Sequence, residues 1–125
     1  MSKANLNMTL LYQIKLNASH FLPGYDGKCA VLHGHTYFID LEIGGTPDFE
    51  SGMIMDFHDV EARTNSALPD HLHFNNYIDN PTAENIAAWL FDIYDAVLSN
   101  VRVGAFLRAL TVWEDPGQGV RVECA

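Results

Sequence analysis

KCAVLHGHTYFIDLEI, residues Lys28–Ile43, holds the reading from which the fold follows. From His35 onward the odd positions Tyr37, Ile39, Leu41 and Ile43 are apolar, while Asp40 and Glu42 point the other way. A period of two marks a strand with one buried face. His33 and His35 stand at its head, two residues apart, so both imidazoles project on the apolar side. Cys29 lies four residues before the first of them.

Upstream, Met8, Leu10, Tyr12, Ile14, Leu16 and Ala18 alternate with Thr9, Leu11, Gln13, Lys15, Asn17 and Ser19. That is a second strand, and His20 keeps the parity of its apolar face. LPGYDGK between the two strands reads as a loop. Downstream, Gly44 and Gly45 end the strand, and TPDFESG is a turn or short loop. A helix is expected from about Asp56 to Leu68, stopped by Pro69. NNYIDNPT is loop-like. TAENIAAWLFDIYDAVLSN is a second helix: Thr82 can cap it, Glu84 suits its positive end, and Ile86, Leu90, Ile93, Tyr94 and Val97 form one apolar stripe. AFLRALTVWED, a PGQG turn and VRVECA close the chain as a β-hairpin. The order β-β-α-α-β-β implies an α+β fold, an antiparallel four-stranded sheet with two helices on one face. Its two edges make assembly through strands plausible.

Length and composition agree with one domain spanning residues 1–125. Apolar residues make up 48% and charged residues 18%, as in an ordinary globular protein. No apolar run reaches the roughly 20 residues of a membrane helix. The stretch MSKANLNMTLLYQIK lacks the apolar segment and cleavage site of a secretory signal. Two cysteines, Cys29 and Cys124, are too few for a disulfide framework, so a cytoplasmic location is expected. Seven basic against sixteen acidic residues give a net charge of −9, which disfavours nucleic-acid binding.

His20, His33 and His35 thus project inward from the ends of two strands and can converge. Neutral imidazoles gathered in that way suit zinc, which takes three protein ligands in catalytic sites and leaves one position open. A single histidine on an apolar face is usually a hydrogen-bonded core residue; three in phase are harder to explain so. Cys29 admits three roles: a fourth ligand, an inert thiol, or a base or nucleophile just outside an open site. Asp70 beside His71 in PDHLHFN offers a carboxylate to orient an imidazole, or simply a solvated loop. Glu114, at a strand end after Val112 and Trp113, could accept paired hydrogen bonds from an amino-pyrimidine ring, or be solvated.

Taken together, FLPGYDGKCAVLHGHTY, SGMIMDF, PDHLHFN, NPTAENIA and LTVWED, in that order, resemble the 6-pyruvoyltetrahydropterin and bacterial 6-carboxytetrahydropterin synthases over nearly the whole chain. The resemblance implies the tunnelling fold, in which trimers close a barrel from their sheets and two trimers stack into a hexamer. It implies Zn2+ on His20, His33 and His35. It further implies Cys29, Asp70 and His71 as catalytic residues, Glu114 gripping the pterin ring, Thr82 lining the same pocket, and active sites at subunit boundaries. Pro69 departs from the leucine usual before Asp-His, and Asp115 from the small hydroxyl residue usual after the glutamate.

The implied substrate is 7,8-dihydroneopterin triphosphate. The compact length and the CAVLHGH and MIMDF blocks resemble the bacterial branch. That branch makes 6-carboxy-5,6,7,8-tetrahydropterin, a queuosine precursor, and releases acetaldehyde and triphosphate. The pyruvoyl activity is the alternative, and a non-catalytic, zinc-stabilised pterin-binding protein is the second. A triphosphate needs a local positive field in so acidic a chain, for which Lys28, Arg63, Arg102, Arg108 and Arg121 are the candidates.

Overall fold

Residues 6–125 are described by a computed structural model; Met1–Asn5, part of the stretch read for a secretory signal, lie outside them. In chain order the elements are β1 (Thr9–His20), β2 (His33–Gly44), α1 (Phe57–Asn65), β3 (Leu72–His73), α2 (Ala83–Leu98), β4 (Phe106–Asp115) and β5 (Gln118–Glu123). β1 and β2 pair antiparallel over their full lengths, from Thr9 opposite Gly44 to His20 opposite His33. That register places the three histidines at one end of the sheet. β4 then pairs with β2, and β5 with β4.

The α+β architecture is as expected, with one correction. The sheet has five strands in the order β3-β1-β2-β4-β5, and it is mixed, because β3 runs parallel to β1. Two residues are too few to show a period, so β3 reads as loop in the sequence. It is fixed by burial of Leu72, which is 2% exposed, and by a 2.9 Å hydrogen bond between Ser19 Oγ and His73 Nδ1.

Both helices are capped by the residue before them. Asp56 accepts from His58 N at 2.8 Å, and Thr82 from Asn85 N at 3.1 Å. α1 stops at Asn65, short of the expected Leu68, where the Thr64 and Ser66 hydroxyls bond back to Val60 and Ala62 carbonyls. The core lies between the sheet and the helices. Tyr37, Ile39, Leu41 and Ile43 of β2 share one core with Ile86, Ala87, Leu90, Tyr94 and Leu98 of α2, all essentially buried. Each large apolar side chain contributes about 1.5–3 kcal/mol by leaving water. The opposite face mixes exposed Leu11 and Phe38 with a polar network: Asp40 accepts from Gln13 Nε2 and Trp113 Nε1, and Arg121 pairs with Glu42 and Glu123. No described helix is long and apolar enough to cross a membrane.

Candidate metal centre

The β1–β2 register brings the His20, His33 and His35 rings together, with centroids 4.5–5.3 Å apart. Glu114, near the end of β4, completes the group: one donor atom from each of the four residues lies within 4.8 Å of the others. His20 Nδ1 is bonded to the Pro81 carbonyl at 2.8 Å, and His33 Nδ1 to the Val31 carbonyl at 2.7 Å. A carbonyl only accepts, so both Nδ1 atoms carry the proton and both Nε2 atoms offer a lone pair.

Glu114 Oε1 lies 3.3 Å from His20 Nε2 and 3.0 Å from His35 Nε2. Neither contact is aligned as a hydrogen bond, and both nitrogens are buried without a partner. Closeness without alignment is what donors produce when they aim at a common point rather than at each other. Burial is the main cause that lowers the His20 pKa, and the neighbouring imidazoles add to it; the Pro81 bond and the Glu114 charge oppose them. A histidine held neutral in this way is in its metal-binding form. The group can hold a divalent metal ion, and its imidazole and carboxylate donors are those zinc takes. Beneath it Tyr37 is fully buried, its hydroxyl also without a partner, and burial followed by the Glu114 and Asp115 charges raises its pKa.

A sequence model of the family described as 6-pyruvoyl tetrahydropterin synthase matches residues 9–124. This chain belongs to that family. It is 34% identical to the 6-carboxy-5,6,7,8-tetrahydropterin synthase of Synechocystis over 94 residues, 67% of this chain and 73% of that one. It is 29% identical to the dihydroneopterin monophosphate aldolase of Pyrococcus furiosus over 116 residues, 91% and 96% of the two chains. The Caenorhabditis elegans 6-pyruvoyl tetrahydropterin synthase shares the fold, with a TM-score of 0.81 over 96% of this chain and 97% of that one at 24% identity.

Within this chain the other expected site residues are placed less tightly. Cys29 sits half-buried on a 3-10 turn, Lys28–Ala30, whose carbonyl accepts from Leu22 N at 2.7 Å. That bond ties the turn to the chain just beyond His20, yet the thiol is not one of the four clustered donors. Asp70 and His71 are exposed on the loop before β3. His71 shares a cleft of about 470 Å³ with Ser19, Gly34, His35 and Thr36. Among the described residues no hydrogen bond or ion pair joins Asp70 to His71. Thr82 caps α2, and the preceding Pro81 is the residue that holds His20.

The sequence reading missed the carbonyls of Val31 and Pro81, which no residue type announces. It also did not place Asp115, whose Oδ1 is 3.5 Å from His35 Nδ1. The one available signal was two consecutive acids directly before a PGQG turn.

Proposed function

We propose that this pterin synthase is a zinc-dependent lyase. It converts 7,8-dihydroneopterin triphosphate and one water to 6-carboxy-5,6,7,8-tetrahydropterin, releasing acetaldehyde and triphosphate. The observation that carries the reading is the pair of buried, partnerless Nε2 atoms of His20 and His35 turned toward one point in a chain of this family. The Synechocystis relative, named for the carboxy product, favours that branch.

His20, His33 and His35 would hold the ion. Zinc bound there supplies Lewis acidity to an oxygen of the substrate side chain. Cys29 takes and returns protons at the side-chain carbons, with His71 as its partner acid or base and Asp70 steering that ring. Glu114 accepts paired hydrogen bonds from the amino-pyrimidine ring, and Thr82 lines the same pocket. The active sites complete at subunit boundaries in a trimer or hexamer. The uncovered length of β1 and the outer edge of β5 are the strand edges such an assembly would use.

A second reading is favoured by the Glu114 geometry: a fourth ligand, Glu114 rather than Cys29, closing the shell of a structural site. The test is product analysis by mass after incubation with dihydroneopterin triphosphate, using the parent, Cys29→Ala and Glu114→Gln. The catalytic reading expects acetaldehyde and triphosphate from the parent. It expects bound zinc but at least about 100-fold slower release in Cys29→Ala, and a raised KM with zinc retained in Glu114→Gln. Triphosphate without acetaldehyde would assign the pyruvoyl activity. In a parallel incubation with dihydroneopterin monophosphate, turnover of that substrate alone would assign the chemistry named for the Pyrococcus relative. Zinc lost with Glu114 and no turnover would leave the structural reading.

A further inference from the structure

Glu114 and Asp115 are consecutive, and in an unbroken strand their side chains would leave opposite faces of the sheet. Both address the His35 ring instead, Glu114 Oε1 at 3.0 Å from Nε2 and Asp115 Oδ1 at 3.5 Å from Nδ1. The cause is a β-bulge. Trp113 pairs with Gly119 and Asp115 with Gln118, so two steps along β4 answer one step along β5, and Glu114 is the extra residue. The bulge is pinned from the far face. Trp113 Nε1 donates to Asp40 Oδ2 at 2.9 Å, and its ring lies so close to Gly119 that a Cβ there would approach it to 2.7 Å.

The three imidazoles differ in what holds their outer nitrogen. His20 and His33 rest on main-chain carbonyls at 2.8 and 2.7 Å, whereas His35 Nδ1 faces a carboxylate. We propose that Asp115 is a positioning residue for His35: its charge keeps the proton on Nδ1 and leaves the Nε2 lone pair turned to the ion. The 3.5 Å separation is longer than a full hydrogen bond, so the orientation is electrostatic. Outer partners of this kind fix the ligand's tautomer and raise its basicity. The bulge thus delivers two carboxylates to one ring, one on the ion side and one behind it. This rests on the zinc reading above.

The experiment measures zinc affinity of the full chain at one fixed pH by competition with a chromophoric chelator, in the parent, Asp115→Ala and Asp115→Asn. Removal of the carboxylate should weaken zinc binding about 10–100-fold, and the asparagine oxygen should restore part of it. The visible absorption of the cobalt-substituted protein should shift in the alanine variant. Melting of the metal-free protein should not change, since the Asp115 side chain is 54% exposed. Zinc affinity of Asp115→Ala within twofold of the parent would overturn the role. If Asp115→Ala lowers the metal-free melting temperature, Asp115→Asn decides: a parent-like melt with weakened zinc supports the role, and parent-like zinc overturns it. A parent that binds no zinc would overturn the zinc reading as well, whereas a tight-binding parent with indifferent variants removes only Asp115.

Discussion

His71 has a φ of 55°, the only positive value at a described residue other than glycine. An L-residue there crowds its Cβ against the backbone, at a cost of about 1–2 kcal/mol. Histidine, with asparagine and aspartate, tolerates this region better than most, but glycine carries no such penalty. The loop keeps histidine at a strained, exposed position that lines the cleft shared with His35. Denaturant unfolding of His71→Gly and His71→Ala should find the glycine variant more stable than the alanine by about 1 kcal/mol. Both should release triphosphate about 100-fold or more slowly than the parent, the usual loss when an acid–base group is removed. A glycine variant with parental turnover would remove His71 from the chemistry. The residue type was legible in PDHLHFN; its backbone was not, because that stretch contains no glycine or asparagine before Asn75 to mark a left-handed turn.

Strands of twelve residues and a sixteen-residue helix write their periods plainly, which is why β1, β2 and α2 stand where alternation and the apolar stripe put them, although in α2 Ala87 and Leu98 are buried where Ile93 and Val97 were expected. β3 and the bulge at Glu114 were illegible for a shared reason: each is defined by its partner strand, and a single chain segment carries no record of register. The same distinction separates the histidines, whose phase is local, from Pro81 and Asp115, which reach the site only through packing. α2 joins the two levels. Thr82 satisfies an N-terminal amide of the helix, and the adjacent Pro81 carbonyl fixes His20, so the cap and a candidate metal ligand share a short piece of backbone. Thr82→Ala should cost about 1 kcal/mol and Thr82→Ser much less, as read from denaturant midpoints. Zinc affinity should fall with the alanine variant, because fraying there loosens the Pro81 carbonyl. Equal stability of the alanine and parent proteins would show that the cap contributes nothing. Turnover lost from the serine variant, which keeps the cap, would point to direct contact between the threonine methyl and the substrate.

At the scale of the whole molecule the chain carries a net charge of −9, and three of its seven cations are committed to structure. Arg121 is shared by Glu42 and Glu123, Arg102 donates to the Thr46 and Ile54 carbonyls, and Arg108 donates to Thr9 Oγ1. A divalent ion at the histidine end would therefore be the strongest local positive charge available to an anionic substrate, with Lys28 on the turn beside Cys29. Metal and stability are then linked. The apolar core between sheet and helices is extensive, and Tyr37, Ile39, Leu41 and Ile43 are fully buried in it. The metal-free protein should stay folded, unlike a domain held together by structural zinc. Zinc at 100 times its dissociation constant should nevertheless stabilise the fold by about 2.7 kcal/mol, or about 10 °C in melting temperature for a chain of this size. Calorimetry before and after chelation measures the shift, and repeating it with Cys29→Ala separates ligand from bystander. An unchanged shift in that variant keeps the thiol outside the metal's shell, whereas its disappearance makes Cys29 a ligand and leaves the proton transfers without their base.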